Sequence, residues 1–274
     1  MTQAPKDTPV MELFRLDGKV AWVAGAAGHL GPAISFALAE AGATVVLSGR
    51  NEERLRGLAE QLLRSGYTAE YIALDVTNDQ MVDAAAKRIA ERHDALHVLV
   101  NNAYSGSGGN LLSSASGEFL EAYDVAVAGA FRTIRAAYPL MVKAARQGGN
   151  PSIINIATMY AHVSPDPRIY PNPPMTNPPF YGAAKAGLVQ LTRYAAVQLA
   201  PDGIRVNVIS PGPFPRPEVR ETAPEMYTSI CARTPMGRVG QPEELKGAIV
   251  FLASNASTYV TGVNLAVDGG WTAW

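Results

Sequence analysis

Short apolar runs alternate with helix-like stretches along almost the whole of this chain. The runs are rich in Val, Ile and Leu and lie at 19–25, 43–49, 70–76, 96–102, 152–157, 204–210 and 263–268. Helical patterns separate them, at about 30–41, 52–65, 78–92, 117–146, 180–200 and 242–254. Strands that are apolar throughout are buried on both faces, and a helix after each strand brings the next strand parallel to it. The pattern predicts an α/β fold over 1–274, a single domain with a doubly wound parallel sheet of about seven strands and helices on both faces.

The composition narrows the possible functions. Hydrophobic residues make up 47% and charged residues 17%, as in an ordinary globular protein. A net charge of −1 argues against a nucleic-acid partner, which needs a basic surface. Cys231 is the only cysteine, which excludes an intramolecular disulfide and a cysteine-based metal cluster, and we expect no metal. The polar opening "MTQAPKDTPV" predicts a flexible N-terminal extension over 1–15, no export signal, no membrane partner and a cytoplasmic location.

The first apolar run leads into "AGAAGHLGPA", in which Gly25, Gly28 and Gly31 recur at every third position. Glycines allow a tight turn here and let backbone N–H groups approach a pyrophosphate at the N-terminus of the helix near Leu30. Turns and close packing also use glycine, but the position between first strand and first helix favours a Rossmann-like dinucleotide site. His29 lies inside this cofactor-binding loop, where a solvent-facing role is a simpler interpretation than a catalytic one.

The second apolar run ends in "VVLSGRNEER", with Gly49 and Arg50 where an acidic residue would bind the adenosine ribose of NAD. A guanidinium can instead accommodate a 2′-phosphate. The sequence therefore favours NADP(H) as cofactor, with NAD(H) possible. The alternative is that Arg50 only begins a charged, solvated helix.

Tyr181 and Lys185 stand four residues apart at the start of a helical pattern, so their side chains share one face. The ordinary pKa of tyrosine is about 10, and lowering it by about 2–3 units takes roughly 3–4 kcal/mol. One ammonium about 4–5 Å away supplies that much at an effective dielectric constant of about 20. The pair is therefore sufficient for general acid–base chemistry, although by itself the spacing is also expected by chance.

Several motifs follow the predicted strands in a fixed order. They are the glycine loop Gly25–Gly31, Asp75-Val76, Asn101-Asn102-Ala103, "NIAT" ending at Thr158, Tyr181-x-x-x-Lys185 and Pro211-Gly212. With these motifs the chain resembles the short-chain dehydrogenase/reductase family over nearly its whole length. Its final stretch, "GRVGQPEELKGAIVFLASNASTYVTGVNLAVDGG", looks like that of the sugar- and ketoacyl-reducing members.

The resemblance implies an NAD(P)(H)-dependent oxidoreductase that interconverts a secondary alcohol and a carbonyl. Tyr181 would act as general acid/base, Lys185 would lower its pKa and bind the nicotinamide ribose, and Thr158 would hold the substrate oxygen. The remaining cofactor contacts would come from Asp75, Val76, Asn102, Ala103, Pro211 and Gly212. The cofactor itself would supply the redox chemistry.

Three positions depart from the family pattern. Ala126 stands where members commonly have an asparagine that supports a proton relay, Tyr104 replaces a glycine, and Arg216 stands about where a threonine is frequent. These departures keep two alternatives open: a catalytically impaired NADP(H)-binding regulator, and a non-redox lyase on the same fold. The intact glycines argue against the lyase.

A proline-rich insert over 164–180 precedes Tyr181 and contains seven prolines. Proline lacks an N–H and fixes φ, so we expect an irregular loop. Because its ends adjoin Thr158 and Tyr181, we expect it near the substrate site as a rim or lid; a surface elaboration or a subunit contact is the alternative. The candidate substrate contacts in and around the site are Tyr104, Tyr160, His162, Asp166, Arg168, Asn177 and Arg216.

Arginines near the predicted site point to the kind of substrate. Arg168 together with Arg216 or Arg220 could bind a carboxylate or phosphate, which favours a sugar-like or hydroxy-acid substrate. The 117–146 helix carries more apolar side chains than one sheet-facing stripe requires, and the resemblance implies a homotetramer. Trp271 and Trp274 follow the last strand, and we expect both to be buried, in the same or a neighbouring subunit.

Overall fold

Seven parallel strands form one sheet in the computed structural model, which describes residues 7–106, 108–170 and 176–274. They are β1 (Val20–Ala24), β2 (Thr44–Gly49), β3 (Ala69–Ala73), β4 (Val98–Asn101), β5 (Ser152–Ile156), β6 (Arg205–Pro211) and β7 (Asn264–Val267). The order across the sheet is β3-β2-β1-β4-β5-β6-β7. All four residues of β4 and all residues of β1, β5 and β6 are buried, as expected for central strands covered on both faces.

Helices connect the strands and cover the sheet on both sides. They are α1 (Val10–Leu13), α2 (Gly31–Glu40), α3 (Glu52–Arg64), α4 (Asp79–Arg92), α5 (Ser116–Tyr123), α6 (Gly129–Arg146), α7 (Pro179–Leu199), α8 (Val219–Thr222), α9 (Pro224–Arg233) and α10 (Lys246–Ala253). One face packs against α2, α3 and α10, and the other against α4, α6 and α7. Asparagine side chains cap two of these helices, where Asn51 accepts from the Arg54 N–H at 2.9 Å and Asn78 from the Met81 N–H at 3.0 Å.

The order of the strands reverses at β1. From β1 the chain adds β2 and β3 on one side, and then crosses over to add β4 to β7 on the other. The loops that leave β1 and β4 therefore diverge at their carboxyl ends and leave a crevice between them. This is the position in which a doubly wound sheet binds its ligand.

A π-helical turn, Asp124–Ala128, joins α5 to α6 into one long helical run, Ser116–Arg146. By length and composition this run could cross a membrane, but half of its most apolar window is buried inside the domain. Ile134 and Met141 of α6 belong to the core between the helix and the sheet. The apolar composition is thus that of a helix in the core of the domain.

The predicted fold class, a single seven-stranded parallel sheet with helices on both sides, is confirmed. Helices α8 and α9 were not predicted from the sequence. The predicted N-terminal extension over 1–15 falls partly on residues 1–6, outside the described residues, and within the remainder Val10–Leu13 form one helical turn.

Candidate active site

A cleft of ≈ 520 Å³ lies at the carboxyl ends of the strands, across the point where the strand order reverses. Most residues predicted to bind the cofactor line it, although they come from distant parts of the sequence. These lining residues are Gly25, Gly28, His29, Leu30, Arg50, Asp75, Val76, Asn102, Ala103, Tyr181, Lys185, Pro211 and Gly212. Thr158, Tyr104 and Arg216 line the same cleft.

The glycine loop closes tightly over the end of β4. Gly25 has a φ of +83°, and a Cβ added there would lie 2.6 Å from the backbone nitrogen of Ala103. Asn102 fixes this approach, because its side-chain Nδ2 donates to the Gly25 carbonyl at 2.9 Å and its backbone N–H donates to the Ala24 carbonyl at 2.9 Å. Only glycine fits this position, and its small size keeps the cleft open to a backbone approach by a phosphate.

Two residues of the loop differ from their sequence-based interpretation. Gly31 is buried at the start of α2, where an added Cβ would lie 2.2 Å from the Ala26 carbonyl oxygen, so it serves close packing and does not line the cleft. His29 is half-buried and its Nε2 lies 3.0 Å from the Phe214 carbonyl oxygen. It therefore connects the glycine loop to the segment after β6 rather than facing solvent.

Arg50 and Arg54 both line the end of the cleft beyond β2. Asp75 lies there too, and its carboxylate accepts the Thr77 N–H at 3.0 Å and the Thr77 hydroxyl at 2.8 Å. Although burial opposes ionisation, these hydrogen bonds and the charge of Arg50 hold the pKa of Asp75 below its ordinary value. Arg54 was not predicted as a site residue; it lies in the first turn of α3, just after the loop that carries Arg50.

Tyr181 and Thr158 meet at the inner end of the cleft. Thr158 is buried directly after β5, and its hydroxyl hydrogen-bonds the phenol of Tyr181. Burial raises the pKa of Tyr181, and the hydrogen bond from Thr158 offsets that rise only in part. The predicted lowering of this pKa by Lys185 is therefore not seen. The phenol is neutral at pH 7, which is the form that donates a proton.

Lys185 lies one helical turn after Tyr181 on α7, with only 3% of its surface exposed. Its ammonium donates to the Ile156 carbonyl at 2.6 Å. Burial lowers the pKa of Lys185 to about 8, so the side chain is still protonated at pH 7. The site thus holds a buried positive charge beside a neutral phenol.

The ring of Tyr104 packs against both of these side chains. Its centroid lies 4.7 Å from that of Tyr181 in an edge-to-face arrangement and 5.4 Å from the Lys185 ammonium. Ala126, at the π-helical turn, is buried in the apolar cluster against which Tyr104 packs. Two of the three positions that depart from the family pattern are therefore neighbours in space.

Five of the seven predicted substrate residues, Tyr160, His162, Asp166, Arg168 and Asn177, lie outside the cleft lining. Arg168 is 83% exposed and pairs with Asp166 at 2.7 Å, so its charge is already compensated. His162 hydrogen-bonds Ser210 at 3.3 Å and contacts Asn264, the first residue of β7. The Tyr160 hydroxyl lies 3.3 Å from that of Tyr170.

The first half of the insert packs against Trp271, near the C-terminus of the chain. Ile169 is buried with Met159 and Trp271, and the aromatic side chains of Tyr160 and Tyr170 pack against them; we name these residues the Trp271 cluster. A helix and an ion pair hold the cluster in place, because Asp166 bonds Arg233 of α9 at 3.2 Å and that guanidinium lies 5.8 Å from the Trp271 ring centroid. The Arg168 hydrogen bond lowers the pKa of Asp166 to about 2, so it is ionised at neutral pH.

The second half of the insert contacts the loop after β4. Thr176 donates its hydroxyl to the Gly109 carbonyl at 2.8 Å, and Phe180 is buried edge-to-face with Phe119 of α5. Residues 171–175 of the insert lie outside the described residues. Asn177 is described, and its side-chain oxygen is buried without a hydrogen-bond partner.

Two further predictions concern metals and the tryptophans. Within 7–106, 108–170 and 176–274, no group of three or more His, Cys, Asp or Glu side chains could hold a metal ion.

Trp271 is buried with 4% of its surface exposed, whereas Trp274 is 74% exposed in the chain. The predicted burial of Trp274 in a neighbouring subunit stays a prediction.

A family model described as "Enoyl-(Acyl carrier protein) reductase" matches residues 25–272. Among curated proteins, a galactitol 2-dehydrogenase (L-tagatose-forming) of Cereibacter sphaeroides is 36% identical over 265 residues, 96% of this chain and 98% of the relative. A 3-oxoacyl-[acyl-carrier-protein] reductase of Thermotoga maritima is 32% identical over 257 residues, 94% of this chain and 99% of the relative.

Solved structures share the fold over the same extent. A gluconate 5-dehydrogenase from Burkholderia cenocepacia, solved in complex with NADP and tartrate, is 33% identical with a TM-score of 0.86. The match covers 97% of this chain and 100% of that one. The glycine cradle and the open cleft of this chain fit the dinucleotide that the relative binds.

Proposed function

The chain belongs to the short-chain dehydrogenase/reductase family and is an NAD(P)-dependent oxidoreductase acting on CH–OH groups, and on this premise we propose that Tyr181, Lys185 and Thr158 are its catalytic residues. The reaction interconverts a secondary alcohol and a carbonyl, with NAD(P)(H) supplying hydride transfer when bound. Tyr181 gives or takes the hydroxyl proton. Thr158 holds the substrate oxygen.

One observation carries this proposal: a neutral phenol at the inner end of the cofactor cleft, hydrogen-bonded to a buried hydroxyl. Two hydroxyl groups that converge on one point can both bond the oxygen of a carbonyl substrate. Because the pKa of Tyr181 is raised, the phenol keeps its proton until the substrate oxygen develops negative charge. This state suits the reduction of a carbonyl.

Lys185 contributes a fixed positive charge to the same corner of the cleft. Its ammonium is held by the Ile156 carbonyl, and it lies on the same face of α7 as Tyr181. A phenolate that forms when Tyr181 gives up its proton would be stabilised by this charge. Lys185 also faces the cleft, where it can hydrogen-bond the nicotinamide ribose.

NADP(H) is the favoured cofactor, with NAD(H) possible. Two guanidinium groups, Arg50 and Arg54, line the cleft beyond β2, where the adenosine ribose of a bound dinucleotide would lie. Arginine binds phosphate with paired, charge-assisted hydrogen bonds. The NADP bound to the similar gluconate dehydrogenase agrees with this preference.

A sugar-like or hydroxy-acid compound is the proposed substrate class. The dehydrogenases of galactitol and gluconate to which the chain is similar act on polyhydroxylated compounds. Arg216 lines the cleft and can bind a substrate carboxylate, whereas Arg168 pairs with Asp166. The insert, through the Trp271 cluster and its contact with Gly109, forms the rim of the substrate site in this proposal.

We also propose that the protein is a homotetramer and that it is located in the cytoplasm. Bulky apolar side chains of α5 and α6 face outward in the isolated chain, among them Phe119, Leu120, Tyr123, Phe131 and Tyr138. A surface of this kind is typical of a subunit contact. No nucleic-acid or membrane partner is proposed.

Turnover and cofactor binding test the proposal together. Galactitol, gluconate and an acetoacetyl thioester are assayed with both cofactors, and NADPH binding is followed by fluorescence. We expect turnover of at least one probe, and a loss of about 10²- to 10⁴-fold in kcat/KM for Tyr181→Phe with the NADPH Kd unchanged. Tyr259→Phe is the matched control, because that tyrosine is fully exposed away from the cleft.

The alternatives give different results. NADPH binding without turnover of any probe would favour the catalytically impaired regulator. Turnover of a non-redox substrate with no change in NADPH absorbance would favour the lyase. Wild-type activity in Tyr181→Phe would remove Tyr181 as the proton donor.

A further inference from the structure

Tyr104 is a second tyrosine at the catalytic corner, and the proposed reaction gives it no role. It follows Ala103 in the loop after β4, and its ring lies between the cleft and the apolar cluster of Ala126, Phe180 and Ala184. Gly106 makes room for it, because a Cβ there would lie 2.4 Å from the Tyr104 hydroxyl oxygen. The ring is therefore fixed by its surroundings and not free to leave.

Lys185 has two contacts that hold its ammonium in the described structure: the Ile156 carbonyl at 2.6 Å and the ring of Tyr104 at 5.4 Å. A cation near an aromatic face is attracted by the π-electrons, more strongly where water is excluded. The same ring meets Tyr181 edge-to-face at 4.7 Å, which restricts the rotation of the phenol. One aromatic side chain thus touches both members of the proton-donating pair.

Ala126, which lies in the apolar cluster beside Tyr104, explains why an aromatic ring is useful here. The side chain of Ala126 has no polar atom, so it cannot donate or accept a hydrogen bond toward the ammonium. Since Lys185 is buried, any interaction that favours its charged form keeps the charge present at higher pH. A neutral ring provides such an interaction without adding a second charge.

We propose that the aromatic ring of Tyr104, rather than its hydroxyl, positions Lys185 and Tyr181 for proton transfer. Tyr104 is a positioning residue in this proposal, which rests on the proposed roles of Tyr181 and Lys185. The ring holds the ammonium in its charged form and aligns the phenol with Thr158.

Other ionisable groups lie near Tyr181 and Lys185. Glu121 of α5 acts on Tyr104, and Tyr160 lies near enough to Tyr181 for their charges to interact. Both Tyr104 and Tyr160 have raised pKa values because they are buried, so both are neutral over the pH range of an assay. Within the described residues, Lys185 is then the group of this set whose charge changes near pH 8.

Three variants separate the ring from the hydroxyl. Tyr104→Phe keeps the ring, Tyr104→Leu removes it with a side chain of moderate size, and Tyr259→Leu makes the same change at an exposed site. We expect Tyr104→Phe to retain at least about a third of wild-type kcat and Tyr104→Leu to lose about tenfold or more, with the NADPH Kd within about threefold in both. The alkaline limb of the kcat profile should move to lower pH by about 0.5–1.5 units in Tyr104→Leu alone.

A measurement without substrate keeps this inference separate from the proposed function. The free energy of unfolding is followed against pH for each Tyr104 variant, with and without Lys185→Met, so that the difference reports the titration of Lys185. We expect the pH midpoint of the Lys185 titration to fall by about 0.5–1.5 units in Tyr104→Leu and to remain unchanged in Tyr104→Phe. If Tyr104→Leu does not unfold cooperatively, Tyr104→Met replaces it in both experiments.

Two results would overturn the inference. Equal losses in Tyr104→Phe and Tyr104→Leu would assign the function to the hydroxyl. An unchanged Lys185 midpoint in Tyr104→Leu would show that the ring does not act on the ammonium. If the wild type turns over no probe, the midpoint of the Lys185 titration in the unfolding experiment still tests whether the ring acts on the ammonium.

Discussion

Replacing Lys185 by methionine should make the protein more stable at neutral pH while removing its activity. Lys185 is 3% exposed, and burial lowers its pKa from 10.5 to about 8. At 1.36 kcal/mol per pH unit, holding the ammonium in the folded chain costs about 3 kcal/mol relative to water. Methionine has a similar length and no charge, so it avoids this penalty.

The expected gain is smaller than the full penalty, because the Ile156 carbonyl loses its 2.6 Å hydrogen bond. A buried acceptor without a partner costs about 1–3 kcal/mol. The net stabilisation of Lys185→Met at pH 7 should therefore be about 0–2 kcal/mol. The same charge that destabilises the fold is the one proposed to assist Tyr181.

The dependence on pH gives a sharper test than the value at one pH. The pKa of Lys185 is lower in the folded chain than in the unfolded chain, so the unfolded chain binds more protons between about pH 8 and 10.5. Across this window the wild type should gain about 3 kcal/mol relative to Lys185→Met. Below pH 8 the difference should be constant.

Urea unfolding of both proteins at pH 6 to 10.5, at equal protein concentration, measures this difference. Lys19, whose pKa is also lowered to about 8, is present in both proteins and cancels. Lys87→Met is the matched control, because Lys87 is exposed on α4. A difference between wild type and Lys185→Met that does not vary from pH 8 to 10.5 would refute the reasoning.

Three shorter predictions concern the cofactor, the rim and the assembly. Arg50→Ala should weaken NADPH binding about 10- to 100-fold and leave the NADH Kd within about threefold; equal effects on both cofactors would contradict a role in binding the 2′-phosphate. Asp166→Asn breaks the ion pair with Arg233, so the substrate KM should rise, by less than about tenfold, with no change in NADPH Kd. An unchanged KM would show that the insert does not contribute to the substrate site. Phe131→Glu places a charge on a side chain that is 50% exposed on α6, and light scattering should show a smaller assembly; an unchanged mass would move the subunit contact elsewhere.

The strands and most helices were predictable because their signals are local. Each strand is a short run of branched apolar residues, and the caps Asn51 and Asn78 precede their helices directly. Helices α8 and α9 gave a weaker signal, because none of their residues is fully buried and only Met226 and Ile230 of α9 pack, partly buried, against the Trp271 cluster. The position of α9 depends on the contacts of Arg233 with Asp166 and Trp271, two residues that are far from it in sequence.

The cleft lining was predictable for the same reason that the sheet was. Residues that directly follow parallel strands share one edge, so Asp75, Asn102 and Gly212 were expected to converge there, and they do. Arg168 was expected near a substrate, but pairing with a carboxylate two residues away depends on local geometry that the sequence does not reveal. The net pKa of Tyr181 was also beyond the sequence, because it depends on how completely the phenol is buried.

The π-helical turn Asp124–Ala128 divides the long helical run into two halves with different rotational phases. One extra residue corresponds to about 100° of rotation around a helix axis. The half before the turn can therefore direct Phe119 and Leu120 away from the sheet while the half after it stays seated on the core. Since Val125 of this turn also lines the cleft, a relative of this chain that lost one residue here would keep its sheet but present a differently oriented outer face, and the wall of its cleft would change at the same time.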